Sequence, residues 1–227
     1  MSGLNRAYKR RPSMVSMNGG PVLCLDAGSK LSYPGSGTTW TDLSGNGNNG
    51  TLTNGPTYDS ANGGSLVFNG TTNYVSLPNG ILSGTGDFAV NQWVKSLSTG
   101  STGTTFANYS SGNLQILYGM QYVGVYLGAA FYACSSTPCA YYNSGWNMIT
   151  ALRSGTSIAF YLNGVSIKTG ITSNSIGTSS ATFRIGTNAG GTEQFTGNIA
   201  VTQVYNRALS AAEISTNFEL LRGRYGI

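Results

Sequence analysis

Residues 195–227, FTGNIAVTQVYNRALSAAEISTNFELLRGRYGI, carry two periodicities in one unbroken run. Apolar positions first alternate as in a β-strand, and Tyr205-Asn206-Arg207-Ala208-Leu209 then leads straight into a helical pattern. Ser210 can accept from the amide three residues on, while the Glu213 side chain reaches back to Ser210, which is the capping-box arrangement S-x-x-E. Ile214, Phe218 and Leu221 fall on one face of the helix so started. The expectation is a long final strand closed by a short amphipathic helix.

Upstream, the composition suits the same kind of domain. The chain has 227 residues, enough for one large all-β domain with a real core, yet only 8% are charged and 33 are Gly. Low charge with abundant Gly, Ser, Thr and Asn is what many short strands joined by tight turns require. Strands are expected from Pro21 to Asp26, over Leu66-Val67-Phe68, from Tyr74 to Leu77 and from Asp87 to Lys95. Further runs are Leu114 to Tyr118, Tyr122 to Leu127, Trp146 to Leu152 and Ser157 to Leu162. In the Asp87–Lys95 run, Phe88, Val90 and Gln92 alternate with Ala89, Asn91 and Trp93, which predicts two faces of different polarity. Asn163-Gly164, set between Ile158–Leu162 and Val165–Ile167, reads as a type I′ hairpin turn, because both central residues of that turn need positive φ. The whole reads as roughly a dozen strands in two packed antiparallel sheets.

The order of motifs resembles the laminin-G-like domains of the concanavalin A-like lectin/glucanase superfamily. Five pieces carry the likeness: Trp40 to Gly50 (WTDLSGNGNNG), Val67-Phe68-Asn69-Gly70, Phe88 to Lys95 (FAVNQWVK), Phe160 to Gly164 (FYLNG), and the Tyr205–Ser210 passage into the helix. The resemblance implies an all-β, two-sheet antiparallel jelly-roll sandwich with a short C-terminal helix. With the Leu25-Asp26-Ala27-Gly28 opening and the Leu221 to Gly226 ending, the variant is similar to tailed-phage virion structural proteins of that superfamily. Residues 1–20 are then an extended basic arm and residues 21–227 the sandwich domain.

Catalytic chemistry finds little to work with. The chain has no histidine, which removes the Ser-His-Asp and Cys-His arrangements and the commonest general base. Its seven acids, Asp26, Asp42, Asp59, Asp87, Glu193, Glu213 and Glu219, are spread so that no two lie within five residues. The superfamily's glucanases instead carry theirs at alternate positions of one strand, and a glycosidase needs two carboxylates flanking the bond. No enzyme, cofactor or catalytic residue is predicted. The resemblance raises calcium, which wants six to eight oxygens. Here Ala200 and Val201 stand where the family's last strand often has two acids, and Asn73 stands where it often has Asp. Asp42 therefore reads as a turn-former, and no metal site is predicted. The three cysteines are sparse; Cys24 reads as a buried thiol, and Cys134 and Cys139 can close a small loop if oxidised.

What remains is binding. The net charge is +5, but Arg6, Lys9, Arg10 and Arg11 lie in the arm with no acid, leaving eight basic against seven acidic residues after it. Four phosphate contacts would give a salt slope of only about −3.6 on duplex DNA, too weak for a dedicated nucleic-acid binder. With Tyr8 among those charges, the arm better suits a tether on a protein surface, so Arg6, Tyr8, Lys9, Arg10 and Arg11 are the candidate partner-binding residues. No export signal or membrane span is predicted. The leading expectation is a non-enzymatic phage virion component, a capsid decoration or tail-associated protein assembled in the host cytoplasm, with other virion proteins or its own copies as candidate partners. The alternative is a carbohydrate-binding module for host-surface glycans. Tyrosines crowd at Tyr109, Tyr118, Tyr122, Tyr126, Tyr132, Tyr141 and Tyr142, and a structural or interface role competes with sugar stacking for each.

Overall fold

The computed structural model describes residues 19–82, 86–97, 102–108, 114–119, 122–128, 130–134, 145–171, 182–188 and 190–227. In chain order the strands are β1 (Leu23–Asp26), β2 (Thr39–Trp40), β3 (Gly50–Thr53), β4 (Thr57–Asp59), β5 (Ser65–Asn69), β6 (Tyr74–Leu77), β7 (Phe88–Ser96) and β8 (Thr102–Ala107). There follow β9 (Gln115–Gly119), β10 (Val123–Leu127), β11 (Ala130–Cys134), β12 (Asn147–Ser154), β13 (Ser157–Leu162), β14 (Val165–Ile171), β15 (Phe183–Ile185) and β16 (Thr196–Tyr205). Helix α1 (Ala211–Tyr225) closes the chain. The expected all-β sandwich is present, with more strands than expected because β2, β4 and β15 are two or three residues long and leave no periodicity to read.

Two eight-stranded antiparallel sheets form. The first runs β14-β13-β12-β7-β16-β5-β4, and β1 also pairs with β16. Strand β16 is long enough to hold both on one edge: Thr196–Ile199 pair with β5 and Val201–Val204 pair with β1. The second sheet runs β11-β10-β9-β8-β15-β6-β3-β2. Between the sheets lies the main core, with Trp40, Phe68, Phe88, Phe106, Phe183 and Phe195 among its fully buried side chains.

A second apolar cluster sits on the far side of the first sheet, beneath α1. Trp93 stacks on Tyr225 at 4.1 Å between ring centroids and on Phe218 at 5.7 Å, while Trp146 meets Tyr225 at 4.7 Å. Burying each such ring contributes about 1.5–3 kcal/mol, so the helix is held mainly by this roof contact. It also explains a difference from the sequence reading: both faces of β7 are buried, one by the sheet partner and the other by α1. The polar residues on the roofed face pair with one another, Thr150 Oγ1 donating to Asn91 Oδ1 at 2.6 Å and Asn91 Nδ2 to Gln203 Oε1 at 2.9 Å.

The helix begins and ends as its sequence dictates. Ser210 and Glu213 form the reciprocal capping box, and Gly226 closes the other end with φ 74°. The Asn163-Gly164 turn has both residues at positive φ, 51° and 82°. The opening and ending that marked the sequence variant are in contact: Arg224 Nη1 lies 2.6 Å from Asp26 Oδ1, while its Nε donates to Asn62 O and its Nη2 to Gly64 O. A side chain on Gly28 would collide with that guanidinium. No helix among the described residues is long and apolar enough to cross a membrane.

Candidate functional site

The two sheets differ in what covers them. Helix α1 roofs the first, whereas the outer face of the second carries a row of side chains that the strand register places side by side. Because Phe106, Ile116, Val125, Ile185, Val75 and Leu52 point into the inter-sheet core, their strand neighbours point outward. Phe131 pairs with Tyr126, Tyr126 with Gln115, and Gln115 with Ala107. Ala107 then pairs with Arg184, Arg184 with Ser76, Ser76 with Thr51, and Thr51 with Thr39. One continuous row thus crosses all eight strands, aromatic at one end, amide and guanidinium in the middle, hydroxyl at the other.

The aromatic end is built on a glycine. Phe131 stacks on Tyr126 at 4.5 Å and meets Tyr122 edge-on at 5.4 Å. A Cβ at Gly124 would stand 2.8 Å from the Phe131 ring and 3.2 Å from that of Tyr122, so only glycine lets these rings lie down on the sheet. Phe131 is 41% exposed, and Tyr122 and Tyr126 are half-buried.

In the middle, the segment before β16 folds over the sheet. Gln115 Nε2 donates to Thr104 Oγ1 at 2.7 Å and to Glu193 Oε2, while Asn188 Nδ2 donates to Thr192 Oγ1 at 3.0 Å. The Thr192 amide returns a bond to Asn188 Oδ1 at 3.0 Å. Beside this buried network the Arg184 guanidinium, itself half-buried, lies over the Tyr74 ring at 4.6 Å and donates to Asn188 O. The covered middle of the row, where Gln115, Ala107 and Asn188 are buried, is thus fixed from within, and the face is accessible on either side of it, at the aromatic rings and from Arg184 to Thr39.

Sequence reasoning named Tyr122 and Tyr126 from tyrosine crowding but missed Phe131, Gln115, Arg184 and Glu193. Each sits in an unremarkable strand or loop, and only the register brings them together. Tyr118 is buried between the sheets with its hydroxyl accepting from Asn147 Nδ2 at 2.9 Å, a structural role. Tyr132 packs against the inter-sheet core. The arm residues Arg6, Tyr8, Lys9, Arg10 and Arg11, together with Tyr109, Tyr141, Tyr142 and Cys139, lie outside the described residues. Cys134 is disulfide-bonded, and Cys24 is a free, buried thiol. Burial, followed by the nearby Asp26 and Asp42 carboxylates, pushes the Cys24 thiol up to about 12.

All seven acids are engaged by neighbours. Asp42 Oδ1 accepts from the amides of Cys24 and Ser44 at 2.8 and 2.9 Å, and Oδ2 accepts from Ser44 Oγ and the Asn48 amide at 2.7 and 3.0 Å. Ala200 and Val201, at the positions where the family often has acids, belong to the apolar cluster under the helix. Asp26 holds Arg224, Glu213 holds Arg207 at 2.7 Å and Glu219 holds Arg222 at 2.8 Å. Asp59 and Asp87 cap the amides of Ala61 and Gly155, and Glu193 takes the Gln115 amide. Among the described residues no three acids or cysteines converge as a metal-binding group.

A family profile described as the concanavalin A-like lectin/glucanases superfamily matches residues 69–215. No curated protein sequence matches the chain significantly. Among solved structures, the chain is similar to domain 4 of AbnA, a GH43 extracellular arabinanase from Geobacillus stearothermophilus, in complex with arabinotriose. That match has 22% identity and a TM-score of 0.70, and covers 88% of this chain and 98% of that one. The botulinum neurotoxin type G receptor binding domain is similar at 16% identity and TM-score 0.66, over 88% of this chain and 51% of that one. The binding domain of Paraclostridial mosquitocidal protein 1 matches at 16% identity and TM-score 0.67, over 87% and 51%. The chain spans about half the length of these two toxin domains. At such identities the likeness is one of fold.

Proposed function

Because the chain belongs to the concanavalin A-like lectin/glucanase superfamily, we propose that it is a non-catalytic binding protein that takes a carbohydrate chain along the outer face of its second sheet. The observation that carries this reading is the row from Phe131 to Thr39, accessible at Phe131 and Tyr126 and again from Arg184 to Thr39 on either side of the buried Gln115 and Ala107. Sugar rings offer apolar faces that stack on aromatic side chains and hydroxyls that pair with amides, guanidinium and carboxylates, and the row supplies both in sequence. A non-catalytic role is supported by the acids, each of which is occupied within the fold. The experiment is a glycan array on the full chain. Bound oligosaccharides should lose about tenfold in affinity in Phe131→Ala, with an unchanged melting temperature. A blank array from folded protein would remove the reading.

The finer proposal is that this domain is displayed on a tailed-phage virion and reaches host-surface glycans from there, with Arg6, Tyr8, Lys9, Arg10 and Arg11 as its tether to other virion proteins. One feature of the fold favours it. Gly19, the first described residue, has its carbonyl held by Arg207 Nε at 2.9 Å, beside the start of the helix that covers the first sheet. The point where such a tether joins the domain, Gly19, thus lies beside the roofed sheet. Deleting residues 1–20 should abolish incorporation into particles without altering the melt; unchanged incorporation would contradict the proposal.

A further inference from the structure

The edges of the two sheets leave a gap where β11 of the second sheet passes β14 of the first. A cavity of about 350 Å³ opens there, lined by Phe131, Ala133, Ile158, Phe160, Lys168 and Gly170 among others. That volume falls within the range of about 300–1,000 Å³ typical of small-ligand pockets. Its origin is legible in the register. Ile158 and Phe160 are fully buried in the inter-sheet core and pair with Gly170 and Lys168, so both β14 residues lie on the face that looks toward the second sheet, with Lys168 exposed at its edge. A Cβ built on Gly170 meets nothing within 4 Å, so the glycine leaves open space where a strand facing a core ordinarily carries an apolar side chain.

Lys168 supplies the one charge in the lining. Its Nζ donates to Ala133 O at 2.7 Å, across the gap to the other sheet, and no carboxylate among the described residues pairs with it. Two of its three N–H donors remain for a ligand. Apolar walls, an aromatic rim at Phe131 and a single ammonium define a complementary chemistry.

We propose that this cavity is a ligand site separate from the carbohydrate face, and that it takes a small carboxylic acid with an aromatic body. The carboxylate would sit on Lys168, and the ring would lie against Tyr132, Ile158 and Phe160. Phe131 stands at the outer edge of the cavity, its ring stacked on Tyr126 of the outer face. An inward-pointing lysine on an edge strand can also serve only to block strand pairing between molecules, and the test separates the two roles.

The full chain is titrated with 3-phenylpropionate and, separately, with its neutral isostere 3-phenylpropionamide at millimolar concentration, followed by NMR shifts of the β11 and β14 amides. Saturable shifts are expected, with the carboxylate binding about tenfold more tightly than the amide, as a charge-assisted hydrogen bond provides. Lys168→Gln should erase that preference while leaving weak binding of both. Gly170→Val should remove binding of both without lowering the melting temperature, since the side chain fills vacant space. Absence of shifts in the wild-type protein, or equal affinity for acid and amide, would overturn the proposal and leave Lys168 as an edge guard alone. A preference that survives Lys168→Gln would overturn it too.

Discussion

Asp42 shows how much one side chain in a glycine-rich loop can organise. Its two oxygens accept four hydrogen bonds, one of them from the amide of Cys24 on β1, so the loop and the first strand are fixed by the same carboxylate. Asp42→Ala leaves those donors without a partner in a site only 7% exposed, and should lower stability by about 2–4 kcal/mol in urea denaturation. The same saturation argues against a cation there. Adding calcium, or a chelator, should leave the melting temperature where it is, and a rise of several degrees with calcium would show that the loop opens to coordinate it. The turn-forming role was legible in the residue type and its glycine neighbours; the bond to β1 was not, because nothing local joins positions 24 and 42. Glu213 behaves differently. Its hydrogen bond to Arg207, followed by those to Ser210, lowers its carboxyl from 4.5 to about 2. Below about 4.5 an unfolded chain takes up the proton while the folded one stays ionised, so the contribution is present above that pH and is lost as pH falls toward 2. The pair is partly exposed, which keeps the effect modest. Glu213→Gln should flatten the acid limb of the stability profile over that window.

At the scale of elements, local chemistry was the readable part. The S-x-x-E box and the Asn-Gly turn appear as written, since capping and positive φ are set by adjacent residues. Gly164→Ala should cost about 1 kcal/mol, as the new side chain is forced into a left-handed conformation against Phe218. Strand β7 was half-readable. Its alternation predicted two faces of different polarity, but not that both are buried: Trp93 is covered by Phe218 and Tyr225 of a helix more than a hundred residues further on. Removing residues 211–227 should therefore expose Trp93, Trp146 and Met148 and shift the chain from a discrete folded species to aggregate in size-exclusion chromatography.

Among the described residues the two sheets are covered unequally: a helix roofs one, whereas the other is covered only in the middle, by the segment before β16, and bears the candidate site. That asymmetry follows from β16 running directly into α1, which commits the helix to the sheet that β16 belongs to. The fold class could be argued from motif order. The site could not, because Phe131, Gln115, Arg184 and Thr51 become neighbours only once the register of eight strands is known. The most direct test of the account is to map amide shifts across the full chain during titration with the oligosaccharide that binds best. Shifts that run along the row from Phe131 and Tyr126 through Arg184 to Thr51 are predicted. Shifts confined to α1 and the first sheet would contradict it.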